Sequence, residues 1–522
     1  MMFLAYAVSF MDRQIVSVLV EPMKAELQLS DGQVGVLTGL SFALFYCVMS
    51  LPIAALSDRF SRKRIIVIAM AFWSVMTALF GLADSYTELF LARMGVGIGE
   101  AAFAPAAFSM IADHVPAERR SAAIGLAAAG STAGTMLGLM MGGYVTQQAD
   151  WRTAMLVASL PGILLAIAFG LIVREPERGS SGASAMPAQD TPVFSALARN
   201  PTYLLVVGSG MAAMGVLFAC VHWFPAYLIR SYRMTEGEAG ALLGPLLGIV
   251  GAASLFGGGY VTDRLARRDV RWRLWIPAIG ALAGLPLLAC ALYVEHRSAT
   301  LTLFGLAYFA VMIQNAPITA LIQELVPLRL RARATAVFLL MTTLTGFGIG
   351  PTVAGFLSEA YRPALGADSL RYALITLTPL LLISAALLAR AAPRLVRSAT
   401  LRFDRIEQLG VVERFQKHLA RAGLRRRLQQ RGLASGGDHD RREIGIAGTQ
   451  GAQQFDSTDP RQADVRDQAV DLAEPARAEQ RLGRGAQQNL VAGVFEQAFE
   501  CLEHTRVVFH EGNEKRGQPE VS

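Results

Sequence analysis

Apolar residues along this chain gather into long runs separated by short polar stretches. The runs extend from Phe3 to Met23, Val34 to Leu56, Ile65 to Leu82, Leu89 to Ile111, Ala122 to Val145 and Ala154 to Val173. They resume from Tyr203 to Ile229, Ala241 to Val261, Leu274 to Val294, Leu301 to Val326, Ala336 to Leu357 and Tyr372 to Ala389. Each is close to the roughly 20 residues an α-helix needs to cross about 30 Å of hydrocarbon at about 1.5 Å per residue. The pattern predicts an all-α membrane protein with about twelve transmembrane helices. Composition agrees: the 522 residues are 53% apolar and 17% charged, with a mean hydropathy of +0.39, where soluble domains carry about 25% charged residues.

The polar stretches are not alike. Arginine and lysine collect in alternate loops, at Arg59, Arg62, Lys63 and Arg64, at Arg119 and Arg120, at Arg174, Arg178 and Arg199, at Arg264, Arg267, Arg268, Arg271 and Arg273, and at Arg329, Arg331 and Arg333. By the positive-inside rule these loops are cytoplasmic, which puts both termini inside a multi-pass protein of the cell's inner (plasma) membrane. The net charge of +7 therefore has a topological cause, and no nucleic-acid partner is expected. The first run lacks a basic lead and carries Asp12 and Arg13, so a cleavable signal peptide is not expected. Met1 opens almost directly into a span, which suggests a true start upstream. Cys47, Cys220 and Cys290 sit in apolar runs and Cys501 in the polar tail, a spacing that gives neither a disulfide framework nor a metal site.

Two features divide the chain. The stretch Arg174 to Asn200 is polar and contains Ser, Ala, Gly and Pro, as a linker would. The sequence AALSDRFSRKR from Ala54 returns as GYVTDRLARRD from Gly259, about 205 residues later. Two copies at equivalent places predict two pseudo-symmetric six-helix bundles, residues 1–173 and 203–390, with a cytoplasmic linker over 174–202 and a polar tail over 391–522. Substrate would be bound between the bundles and released by rocking. Asp58 and Asp263, each at the end of a span with cations behind it, are candidate gate residues together with Arg59, Arg62, Asp113 and Arg264; Glu118, Arg119 and Arg120 are possible additions. Solvated positive-inside charge is the plainer reading of the same residues.

These motifs carry a resemblance. The stretch around Asp58 resembles the major facilitator signature Gly-x-Leu-Ala-Asp-Arg-x-Gly-Arg-Arg, with Ala54 and Ser61 in place of its two glycines, and the second copy keeps the first glycine as Gly259. LFLARMGVGIGEAAFAP in the fourth span resembles the second signature and aligns Arg93 with its arginine. FMDR at Phe10, GVGIGEA at Gly95, IADHVPAERR at Ile111, REPERG at Arg174, WFPAYLIR at Trp223 and QELVPLRLRARA at Gln323 are most similar to the spinster-like branch. Organic-anion symporters of the superfamily share the Asp-Arg pair and the Gly-x-x-Glu-Ala run. The resemblance implies a major facilitator fold, and for the corresponding aspartate, arginine and glutamate a part in proton coupling and substrate binding. The fifth span has Gly130, Gly134, Gly138 and Gly142 at every fourth position, which allows close helix approach, but lacks the proline of the antiporter signature.

Charges inside spans are costly, at least about 2.5 to 3.5 kcal/mol each, so they face a cavity or pair with one another. Four stand out: Asp12, Arg13, Arg93 and Glu100. At about 1.5 Å per residue, Asp12 and Arg13 in the first span reach the depth of Glu100 in the fourth, and Arg93 lies two turns from Glu100 on the same face. The set sums to zero when ionised, so protonating Glu100 would free an arginine for an anionic substrate; a permanent structural tie between the first and fourth helices is the alternative. His222, Trp223, Gln314, Asn315 and Gln323 are possible substrate contacts in the second half.

The expected function is secondary active transport by alternating access, proton-coupled, of a small organic or amphipathic lipid-like anion by a monomer. A transport-inactive sensor or scaffold with the same fold is the alternative. No P-loop, nucleophile arrangement or metal set is visible, so neither enzyme activity nor a cofactor nor a metal is expected. In the tail, Ile406, Leu409, Val412, Phe415 and Leu419 have helical spacing suited to the inner membrane surface. The remainder reads as disordered, and its Arg-rich, aperiodic character also fits an altered or extended reading frame.

Overall fold

A computed structural model describes residues 1–176, 193–327 and 330–408. Residues 177–192 of the expected linker and most of the polar tail, including the amphipathic stretch from Leu409, lie outside the described residues. So does the side chain of Asp58.

The described chain is helical throughout. Ten helices are long and apolar enough to cross a membrane, and an eleventh crossing is the pair Met2–Val18 and Val20–Leu27, bent by 56°. One of the ten, Arg331–Leu395, runs for 65 residues, which at about 1.5 Å per residue is far more than one bilayer. It turns back at Gly366, whose φ of 55° favours glycine, so that Ser369–Leu377 packs on Gly350–Leu365. That run makes two crossings, and the total reaches the twelve that hydropathy predicts.

In chain order, α1 is Met2–Val18 with Val20–Leu27. The helix α2 is Asp31–Thr38 with Leu40–Arg59, α3 is Arg62–Gly81, and α4 is Tyr86–Ala101 with Phe103–His114. Then come α5 (Ala117–Gln148), α6 (Trp151–Ile172) and, after a short helix Val193–Ala198, α7 (Pro201–Tyr232). They are followed by α8 (Glu236–Ala266), α9 (Trp272–Tyr293) and α10 (Arg297–Met312 with Asn315–Glu324). The last two are α11, which is Arg331–Thr343, a π-helical turn Leu344–Ile349 and Gly350–Leu365, and α12, which is Ser369–Leu377 with Leu380–Gln408.

Local sequence sets the helix starts. The Ser30 side chain and Gln33 form a reciprocal capping box at α2, Ser85 caps α4, and Asp150 caps α6. Asn200 caps α7 with Pro201 in the first turn, where its missing N–H costs nothing.

Glycine decides which helices touch. A Cβ at Gly130 or Gly134 would strike the backbone oxygens of Phe3 and Ala7, and one at Gly138 would lie 2.7 Å from that of Met11. The four-residue glycine ladder of α5 is therefore the seat of α1, which carries Asp12 and Arg13. Residues Met1–Arg264 and Trp272–Ala392 form one compact unit, so both sets of six crossings belong to a single body. A second unit, Leu265–Arg271 with Pro393–Ser522, is largely outside the described residues.

Candidate functional site

The four charges predicted inside spans come together. Arg13 Nε donates to Glu100 Oε2 at 2.5 Å, and Ser9 Oγ, one turn earlier on α1, donates to the same oxygen at 2.7 Å. Arg93 does not pair with a carboxylate: its Nη1 donates to the backbone oxygen of Asp12 at 3.1 Å and its Nη2 to that of Arg13 at 3.3 Å. The Asp12 carboxylate accepts a long 3.5 Å bond from Thr77 on α3. Asp12, Arg13, Arg93 and Glu100 are each at most 6% exposed. Among the described residues Asp12 Oδ1, Glu100 Oε1 and Arg93 Nε have no hydrogen-bond partner.

Aromatic rings surround the Arg13 guanidinium. Its central carbon lies 4.9 Å from the Phe10 and Phe42 ring centroids, 4.8 Å from Tyr46 and 5.6 Å from Phe347. Three of these rings come from α1 and α2 and the fourth from the π-helical turn of α11, so the cation stands where the two halves of the chain meet. Cation–π contacts are each worth from about 0.5 kcal/mol at exposed sites to about 2 kcal/mol or more when the guanidinium is desolvated.

The expected contacts of the second half are dispersed. His222 is buried beside Phe347, with ring centroids 5.7 Å apart. Trp223, next in sequence, points its Nε1 to the Pro351 carbonyl at 2.8 Å and lies 5.9 Å from the Arg230 guanidinium carbon. Gln314 donates to the Val311 oxygen, Asn315 to Met312 Sδ, and Gln323 is exposed. No contact joins these three to the Arg13 cluster among the described residues.

Of the gate candidates, Arg62 is 2% exposed and holds Asp113, Ser109 Oγ at 3.0 Å, the Pro176 oxygen at 3.0 Å and Glu175 at 3.3 Å. Glu175 also accepts from Ser61 and from the backbone N–H groups of Arg62 and Lys63 at 2.9 and 3.0 Å, capping α3. Desolvation pushes the Glu175 carboxyl up, but the hydrogen bonds from Ser61, Lys63 and Arg62 outweigh it and hold it below the usual range. All these partners belong to the first half. Arg59, Asp263 and Arg264 are exposed, and no ion pair joins them to described residues.

The ion pairs that do cross between halves lie at the opposite end and escaped the sequence reading. Arg230 on α7 donates to both oxygens of Asp31 at 2.9 and 2.8 Å and to Glu21 at 2.8 Å. Asp31, 2% exposed, is also bonded by Lys24 and, at 2.7 Å, by Ser358 of α11. Beside it Glu359 accepts from Ser30 Oγ at 2.8 Å and from the Gly32 N–H at 3.0 Å, and Thr352 Oγ1 donates to the Gly35 oxygen at 2.9 Å. The available signal was a run of charges between the first two spans facing WFPAYLIR of the seventh, which reads equally as solvated loop.

Twelve apolar crossings, a buried ion pair within them and an ion-pair network between halves at one end are the frame of a polytopic membrane transporter. The chain belongs to the Major Facilitator Superfamily, whose model matches residues 2–347, and it is similar to the spinster-like branch. An MFS-type efflux pump of Mycolicibacterium smegmatis is 34% identical over 77% of this chain and 92% of its own length. Protein spinster homolog 1 of Xenopus tropicalis is 27% identical over 70% of this chain and 74% of its own. A crystal structure of a bacterial homolog to the human lysosomal transporter spinster, inward-facing and unoccupied, matches with a TM-score of 0.68 and 27% identity, covering 76% of this chain and 96% of that one.

Proposed function

We propose that this transporter is a proton-coupled carrier of a small organic anion or an amphipathic, lipid-like anion, working as a monomer by alternating access. The observation that carries the reading is the buried Arg13–Glu100 pair ringed by aromatics from both halves. Such a pair holds only while both members are charged. When Glu100 takes a proton, Arg13 becomes a buried cation without a counter-charge, a state that costs several kcal/mol, and an anionic group of the substrate takes the vacated place. Deprotonation returns Glu100 to Arg13 and expels the anion. Arg93 keeps the α1 turn in register through the Asp12 and Arg13 carbonyls, and Asp12 is a second carboxylate that a proton can visit.

The aromatic walls favour an anion with an apolar body over a free sugar. Rocking is assigned to two bundles, residues 1–173 and 203–390, joined by the linker 174–202. The Asp31–Arg230 latch holds one end shut, while Asp58, Arg59, Arg62, Asp113, Asp263 and Arg264 form the gate at the other. By the positive-inside rule that second end is cytoplasmic, with both termini inside, and the likeness to an inward-facing spinster homolog supports this assignment.

Proteoliposomes containing the purified carrier test the reading. Glu100→Gln keeps anion binding and loses accumulation driven by a pH gradient, whereas Arg13→Ala loses binding itself. Undiminished pH-driven accumulation by Glu100→Gln would return the pair to a structural tie between α1 and α4.

A further inference from the structure

The second half holds one buried polar group whose chemistry is unfinished. His222 is 2% exposed, and its Nδ1 lies 2.9 Å from the carbonyl oxygen of Phe218 one turn earlier. That oxygen only accepts, so Nδ1 carries the proton. In a neutral ring the other nitrogen, Nε2, then presents a lone pair, and among the described residues nothing donates to it. Buried acceptors without a donor are uncommon because burial forfeits their bond to water.

The position of the ring makes that lone pair useful. Phe347 packs edge-on against His222 at 5.7 Å and is also the ring 5.6 Å from the Arg13 guanidinium carbon. Phe218, at 4.0 Å from Phe347, completes an aromatic wall between the two. Phe347 stands on the π-helical turn Leu344–Ile349, a local under-winding that recurs at functional sites because the extra residue re-aims its side chains. Cation, aromatic ring and acceptor thus follow one another across the meeting of the halves.

We propose that His222 is a specificity-determining residue of the second half: the anion anchored by Arg13 carries a hydroxyl, or another neutral donor, that reaches His222 Nε2 past the Phe347 ring. The substrate class is an organic anion with an apolar middle and a donor at its far end, as distinct from a plain alkyl carboxylate. This rests on the reading of Arg13 as the anion anchor. A site that hydrogen-bonds a substrate hydroxyl rejects the analogue lacking it, since the acceptor is then left buried and unpaired.

The test uses two pairs of anions that differ only by a distal hydroxyl, 4-hydroxyphenylacetate against phenylacetate and 6-hydroxyhexanoate against hexanoate, with affinities for the purified full-length carrier. In the wild type the hydroxylated member binds about tenfold more tightly, in keeping with one hydrogen bond to a buried acceptor. His222→Leu removes the preference and leaves the plain member within about twofold, and His222→Gln, which restores an acceptor, recovers part of it. Equal weakening of both members by His222→Leu, or no preference in the wild type, overturns the proposal. Arg13→Ala in the same assay loses both members of each pair; if it binds them as the wild type does, the anchor reading fails separately from His222. A measurement without ligand stands beside these: nitrogen NMR of ¹⁵N-histidine-labelled carrier, with the His222 signals assigned by their loss in His222→Leu. A proton on Nδ1 and a bare Nε2 is the expected result, and a proton on Nε2 overturns the proposal whatever binds.

Discussion

The two ends of the helical body use charge in opposite ways. At the Asp31 end the ions join halves of the chain about 200 residues apart, with Arg230 forked onto Asp31 and reaching Glu21. Backbones also meet there: a Cβ on Gly240 of α8 would strike the Leu139 oxygen of α5, and one on Gly35 of α2 would lie 2.9 Å from the Pro351 oxygen of α11. At the Arg62 end the ion pairs of Arg62 among the described residues tie α3 to α4 and to the segment after α6, all within one half. Along the same helix pair that touches at Gly240, Gly257 of α8 and Gly125 of α5 have nothing within 4 Å of an added Cβ. Among the described residues, the ion pairs at one end join the halves, and those at the other end named above stay within the first half. On the alternating-access reading proposed above, the bonds between halves must release while those within a half move as a rigid piece.

Six substitutions test the contrast. The largest effect is expected from Arg230→Ala, since removing one member of a buried pair costs about 3 to 5 kcal/mol. A thermal-unfolding double-mutant cycle with Asp31→Asn should give a coupling of about 2 kcal/mol or more, and distances across the Asp31 end measured by pulsed EPR should lengthen. A coupling near zero would remove the latch from the comparison. Next, Gly240→Ala should destabilise by about 1 to 3 kcal/mol through overpacking, while Gly257→Ala stays within about 0.5 kcal/mol; equal effects would mean that the two ends pack alike. Arg62→Ala should follow at roughly 1 to 2 kcal/mol, because its partners remain partly hydrated, and EPR distances between the halves should not change. A change there would make Arg62 a latch as well.

The smallest effect concerns Glu175, whose folded carboxyl is held below the usual range. A depressed carboxylate contributes stability above its unfolded value, and that contribution is lost as pH falls through the lower folded value. Glu175→Gln should therefore lower the thermal midpoint by about 2 °C at neutral pH. The difference from wild type should narrow below about pH 4, and a gap that widens in acid would contradict the capping role.

The spans were legible in the sequence because a bilayer offers no hydrogen bonds to the backbone, so each crossing must be a long apolar helix. The mid-span charges were legible for a related reason. Asp12, Arg13, Arg93 and Glu100 are expensive where they stand, and depth counting brought Arg13 to Glu100. What depth counting missed is the division of labour: Arg93 spends its donors on the Asp12 and Arg13 carbonyls instead of a carboxylate. Trp223 was legible as a buried polar group, yet its N–H goes to Pro351, away from the cluster.

By itself, then, the sequence determined the number of crossings, a glycine ladder on α5 open to close helix approach and the residues too costly to be idle; that α1 is the helix seated on the ladder came from the packing. Hydropathy, spacing and charge cost are properties of one segment in its solvent. Only the tertiary structure decided that Lys24, Glu21 and Asp31, ordinary charges between two spans, join one network with Arg230 and Ser358, or that Phe347 on its π-helical turn touches both Arg13 and His222. The physical reason is that a charge at a helix end costs little whether solvated or paired, so nothing local distinguishes the two states. The distinction comes from groups hundreds of positions away, which only the packing of one half against the other brings within reach.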